Sequence, residues 1–198
     1  MKTMNRRDFL KLTGASAVML TLAACGSSGG GAPAKPTTSK EQNLYNAINA
    51  YLAEEECAPL VYSEGMQDAA NAFAGMFKTM GSASIKVDET NEKFMDLFNN
   101  TMNSIRDGMK KAGYLNADSE ARDFMSDSYG VKFVDEDTLQ LIAPYAEDKL
   151  ETQLKEFKTA TAAGSYTKEK PGYIGIATVE ISGVTYWIAA VKDAPSAS

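Results

Sequence analysis

A chain of 198 residues with 44% apolar content has enough material for one domain with its own core, and a net charge of −6 at pH 7 makes it acidic. That balance excludes charge-driven docking on nucleic acid or anionic lipid, since both reward clusters of Lys and Arg. The chain contains no histidine, which removes the side chain that titrates unaided near neutrality and the commonest metal ligand. No metal, cofactor or catalytic residue is expected.

At the N-terminus Asn5-Arg6-Arg7-Asp8-Phe9-Leu10-Lys11 precedes a mild apolar run over residues 12–23, which closes in Leu22-Ala23-Ala24-Cys25. A charged start, an apolar middle and small residues before a cysteine have the layout of an export signal. The run is too short and too rich in Thr13, Gly14, Ser16 and Thr21 to span a bilayer, which takes about 20 apolar residues. The Arg6-Arg7 pair followed by Phe-Leu-Lys resembles the bacterial twin-arginine translocation signal, and Leu22-Ala23-Ala24-Cys25 resembles a lipobox. These resemblances imply removal of residues 1–24 and attachment of diacylglycerol to the Cys25 thiol. The protein would then be held on the extracytoplasmic face of a bacterial cell membrane, its membrane contact being the N-terminal lipid. Each buried methylene contributes about 0.8 kcal/mol, so two or three acyl chains hold where one is marginal. The twin-arginine resemblance implies export in a folded state, with the general export route left open. Loss of Lys2, Arg6, Arg7 and Lys11 against Asp8 leaves the remainder still more acidic.

From the lipidated Cys25 to residue 40 the composition is Gly, Ser, Pro and Thr without apolar periodicity, which reads as a flexible tether. Its reach is on the order of 20 Å. A folded domain is expected over 41–193, followed by a small polar tail over 194–198.

The first helix is predicted over 41–55, where Leu44, Ile48, Tyr51 and Leu52 recur at helical spacing. Ser63 is a candidate N-cap for a second helix carrying Met66, Ala69, Ala70, Phe73, Phe77 and Met80, which Gly81 stops. A third, over 92–112, places Met95, Phe98, Met102, Ile105 and Met109 in one stripe, with Gly113 beyond it as a C-cap. That stripe reads as core, the alternative being a docking helix for a partner. Residues 130–135 alternate like a short strand, and a further helix is expected between 137 and 161, divided or started by Pro144. Residues 173–181 and 184–192 read as two strands joined by a Ser182-Gly183 turn. Both are apolar on both alternating faces, so the hairpin needs cover on each side, and only helices are available to give it. The expected fold class is α/β: a three-layer α/β/α sandwich around a small, mostly antiparallel sheet.

The run Ala58-Pro59-Leu60-Val61-Tyr62-Ser63, leading into the Ala-rich second helix, resembles the opening of the CAP (SCP-like) domain. The corner Lys111-Ala112-Gly113-Tyr114 and the closing pair Gly172-Tyr173-Ile174-Gly175-Ile176 and Thr185-Tyr186-Trp187-Ile188 resemble that family as well. The resemblance implies an α/β/α sandwich over 41–192. Members with assigned chemistry keep two histidines and two glutamates around a central cleft. Here Ser82 and Ser84 stand where the resemblance expects one histidine, and the small residues 160–163 stand where it expects the other. The resemblance implies that Glu120, soon after the Tyr114 corner, stands for one of the family glutamates. Ser82, Ser84, Tyr114 and Glu120 are therefore the candidate cleft residues.

The function implied is that of a membrane-anchored, non-catalytic CAP-like module binding a cell-envelope component, a lipid-like small molecule or a protein. Two alternatives stay open: a carboxylate-dependent hydrolase of peptide or glycan, and a structural or adhesion lipoprotein. Cys57 has no histidine to ionise it and reads as a small buried apolar residue. Asp118, Glu120, Asp123 and Asp127 lack the spacing of a calcium loop.

Overall fold

The computed structural model describes Pro36 and residues 38–166 and 171–195. The export signal with Arg6 and Arg7, the lipidation site Cys25, most of the expected tether and the last residues of the tail lie outside the described residues. Helix α1 spans Ser39–Glu54 and opens on a capping box, in which Thr38 Oγ1 accepts from the Glu41 amide and the Glu41 carboxylate accepts from the Thr38 amide. Strand β1 (Val61–Tyr62) leads to α2 (Glu64–Met80), capped by Ser63 and ended by Gly81. Strand β2 (Ser84–Lys86) precedes α3 (Glu92–Lys111), and α4 (Ala117–Asp127) follows the corner. Strands β3 (Val131–Phe133) and β4 (Thr138–Leu141) precede α5 (Leu150–Ala160), and β5 (Gly172–Ile181) and β6 (Val184–Asp193) close the chain.

The fold is α/β, with two three-stranded sheets in place of the single sheet expected. One has the order β1-β5-β6, with β1 parallel to β5 and β6 antiparallel, and the other is the antiparallel β2-β4-β3. They meet along the outer side of β6, where Tyr129 bridges Ala189 and Pro144 bridges Tyr186. The β5–β6 hairpin is covered on both faces, as its apolar pattern requires. Ile174, Ile176, Trp187, Ala189 and Val191 face a core built with Leu44, Ile48 and Leu52 of α1 and Leu150, Leu154 and Phe157 of α5. Ala177, Val179, Ile181, Ile188 and Ala190 face the other core, with Met66, Phe73 and Phe77 of α2, Ile105 and Met109 of α3, and Phe124 of α4.

The helix expected across 137–161 is corrected at its start: residues 138–141 form β4, and α5 begins only at Leu150. Leu139 and Leu141 are buried at alternate positions, so the period there is two and not 3.6. Pro144 neither divides nor starts that helix: it lies six residues before Leu150 and flanks β6, a position that spares it a ladder donor. Helix α4 had no counterpart in the sequence reading, because of its buried residues Ala117, Ala121 and Phe124 two are alanines. In α3 the stripe is fully buried from Ile105 to Met109, whereas Met95, Phe98 and Met102 are only half-buried. Cys57 is also half-buried, its thiol 3.4 Å from the Glu55 carbonyl, and is not a core residue.

Because β1 is so short, most of the outer side of β5 has no neighbouring strand, and side chains take that place. Gln67 Oε1 accepts from the Ile176 amide at 3.2 Å and its Nε2 donates to the Ile176 carbonyl. Glu41, also buried, accepts from the Thr178 amide at 3.1 Å and from the Thr178 hydroxyl at 3.2 Å. Gln67→Leu is expected to cost about 1–3 kcal/mol, because it strands a buried peptide N–H and C=O together. A chemical denaturation midpoint unchanged from wild type would contradict this role for Gln67.

Candidate functional site

The site begins at the end of α3. Gly113 adopts φ +95 and donates to the Lys110 carbonyl at 3.0 Å, and the Tyr114 amide donates to the Met109 carbonyl at 3.1 Å. This paired closure is a Schellman motif, and its left-handed residue is one that glycine fills without strain. The turn sends Tyr114 back into the protein, where its hydroxyl donates to the Asp193 carbonyl at 2.7 Å. Helix α4 then starts at Ala117 and presents Glu120 and Asp123 to Lys192 at the end of β6. Lys192 Nζ pairs with Glu120, lies 2.9 Å from Asp123 Oδ2 and is 5.7 Å from the centre of the Tyr114 ring.

Gly113, Tyr114, Glu120 and Lys192 border a cleft of about 470 Å³ whose other walls include Leu115, Asp127, Ala162, Tyr166, Asp193 and Pro195. That volume is in the range of small-molecule sites. Tyr166 packs against Gly172, where even a Cβ would collide with the ring. Burial of Lys192 lowers its affinity for a proton, but hydrogen bonds to Glu120 and Asp123 outweigh this and leave its pKa raised. Lys192 is thus a firmly charged cation already matched by two carboxylates, not a free amine nucleophile.

Of the four candidate residues, Tyr114 and Glu120 share this cleft. Ser82 and Ser84 are not among its lining residues. Ser82 Oγ accepts from the Ser84 amide at 3.1 Å and donates to the Ser84 carbonyl at 2.6 Å, forming the turn into β2, and Ser84 pairs with Gln140 of β4. Ala162, one of the small residues standing where a second histidine was expected, does line the cleft. Asp118 pairs with Arg106, so the carboxylates weighed for calcium meet protein cations at Asp118, Glu120 and Asp123. Sequence reasoning missed Lys192, Tyr166 and Asp193. The signal for Lys192 was its position as a lone charge closing an otherwise apolar strand.

Three phenols here and nearby are held neutral. Burial raises Tyr114, with the field of Glu120 adding to it. Burial raises Tyr129, whose hydroxyl also donates to Glu156 Oε2 at 3.0 Å, and burial raises Tyr166, with Asp193 and Asp127 adding. In the unfolded chain all three ionise near pH 10. The stability they contribute is therefore complete below pH 10 and lost as pH rises toward their higher native values. Alkaline titration should show tyrosinate absorbance of these residues appearing together with loss of circular dichroism. Ionisation of all nine tyrosines near pH 10 in a still-folded protein would refute it.

Residues 3–23 match the family described as TAT (twin-arginine translocation) pathway signal sequence. The chain therefore carries a signal that directs export across the cytoplasmic membrane. Among the described residues no helix is long and apolar enough to cross a membrane. No curated protein and no solved structure matches the chain, and no match to the CAP domain was found.

Proposed function

We propose that this exported protein is a lipid-anchored binding module of the CAP-like type, whose cleft beside Tyr114 holds a small molecule or a cell-envelope component. The observation that carries the reading is the open cleft of about 470 Å³ in which Tyr114, Glu120, Tyr166 and Lys192 converge. The Gly113-Tyr114 corner and the doubly covered closing hairpin support the family likeness, since each is a feature of the resemblance. The pairing of Glu120 with Lys192 favours binding over carboxylate catalysis, because a glutamate held as a counter-ion is a poor general acid. An open cavity is also more than a purely structural spacer needs.

The lipid anchor rests on Leu22-Ala23-Ala24-Cys25, which begins inside the matched signal and ends just beyond it. In bacterial fractionation the wild-type chain should pellet with membranes in high salt and incorporate a tagged fatty acid. Cys25→Ala should lose the label and move to the soluble extracytoplasmic fraction. A variant that still pellets with membranes would refute the anchor. Native mass spectrometry of the purified wild-type chain tests the cleft, where a co-purifying small molecule is the expected result.

A further inference from the structure

The chain enters the fold near one end of the closing hairpin, and the cleft lies at the other. At the start of α1, Lys40 Nζ donates to Thr185 Oγ1 at 2.8 Å and Glu41 accepts from the Thr178 amide at 3.1 Å. Thr38, the N-cap of α1, therefore emerges beside the first residues of β6, on the side of the Ser182-Gly183 turn. At the far end of β6, Lys192 and Asp193 line the cleft, and the Tyr114 hydroxyl donates to the Asp193 carbonyl at 2.7 Å. A strand rises about 3.3 Å per residue, so Thr185 and Asp193 stand about 25 Å apart. Next to the turn Val184 is 40% exposed, and the exposed Lys40 and Glu180 leave this end without net charge. The cleft end is acidic: among the described residues its lining sets Glu120, Asp127 and Asp193 against Lys192 as the one cation.

We propose that the anchored protein stands on its bilayer by the tip of this hairpin, Ser182, Gly183 and Val184 with Lys40 beside them, and opens its cleft to the aqueous side. This orientation rests on the lipid anchor at Cys25 and names the surface that meets the membrane. Residues 26–37 join that anchor to Thr38, and a chain of their composition reaches about 20 Å on average. The tip thus meets lipid well within that reach. The cleft would meet it only with the joining chain drawn out along most of β6, which costs chain entropy. An anionic bilayer surface also repels the carboxylates around the cleft, whereas it is indifferent to one Lys and one Glu at the tip and gains from burying Val184. The ligand of the cleft therefore arrives from water and not from the lipid beneath the protein.

The test uses the lipidated full chain in vesicles of phosphatidylethanolamine and phosphatidylglycerol with brominated acyl chains, which quench indole emission. Trp187 is the single tryptophan of the chain and is fully buried, so a second indole at an exposed position is read as a difference from wild type. The added emission of Val184→Trp should shift to the blue and be quenched. That of Leu115→Trp, at the cleft rim, should do neither, and acrylamide in the water should reach it as readily on vesicles as in the soluble Cys25→Ala chain. Both sites are exposed, and unchanged circular dichroism would verify that each variant folds. Quenching at Leu115→Trp, at both positions or at neither overturns the orientation. A wild-type chain that does not pellet with membranes takes the anchor down with it, whereas a pelleted chain quenched at Leu115→Trp keeps the anchor and loses the orientation alone.

Discussion

Replacing Trp187 by Ala is expected to remove about 3–5 kcal/mol of folding stability. The indole is fully buried in the middle of β6, its ring centre 4.8 Å from that of Tyr129 and 6.2 Å from that of Phe157. Its Nε1 donates to Gln153 Oε1 at 3.3 Å, and Gln153 Nε2 donates onward to the Pro144 carbonyl at 2.7 Å. Truncation therefore leaves a cavity and also releases the side chain that ties α5 to the chain flanking β6. A domain of this size has only about 5–15 kcal/mol in hand. Denaturation followed by circular dichroism should place the variant near the limit of folding at ordinary temperature. A loss below about 1 kcal/mol would mean that the aromatic cluster is not the centre of that core. Trp187→Phe keeps most of the volume and should recover much of the loss.

The second large effect is expected at Gly108→Val, where backbone meets backbone. A Cβ at Gly108 would lie 2.6 Å from the Gly65 carbonyl oxygen and 2.9 Å from the Ala69 amide nitrogen, so α2 and α3 are in direct main-chain contact. No rotamer change relieves such a collision. The helices must separate, and the buried surfaces of Met66, Ala69, Ile105 and Met109 separate with them. The cost should reach about 3 kcal/mol, the upper part of the range for overpacked cores, with broadened spectra from loosened packing. Gly75, also in α2, has open space around its missing Cβ. Gly75→Ala should be neutral or slightly stabilising through helix propensity alone. If both variants unfolded at the same denaturant concentration, the close-approach argument would fail.

How much of this was legible in the sequence follows from how far apart the interacting residues are. The β5–β6 hairpin was readable because its signal is local: two apolar runs, a Ser-Gly turn and alternation on both faces. The layered arrangement followed from it by elimination. Helix ends marked by Ser63, Gly81 and Gly113 were readable for the same reason, since capping chemistry acts over three or four residues. The run Thr138-Leu139-Gln140-Leu141 was not, because four residues fit either period and only its pairing with β2 on one side and β3 on the other settles it as strand. The cleft was half readable. Tyr114 and Glu120 stand close together in the chain, but Asp127, Tyr166 and Lys192 reach the same space from three separate elements. Ser82 and Ser84 were chosen by position in a resemblance, and the fold uses them to form a turn.

The side chains that line the outer side of β5 have a consequence for the protein among its neighbours. A ten-residue strand with bare peptide groups is a template onto which another copy can add its own strand, and the risk grows wherever molecules are crowded on a surface. Gln67 occupies the Ile176 amide and carbonyl and Glu41 the Thr178 amide, three of the groups such an intruder would need. Two polar side chains thus act as a guard against self-association and keep the closing ribbon private to one molecule, at the modest expense of burying an amide and a carboxylate.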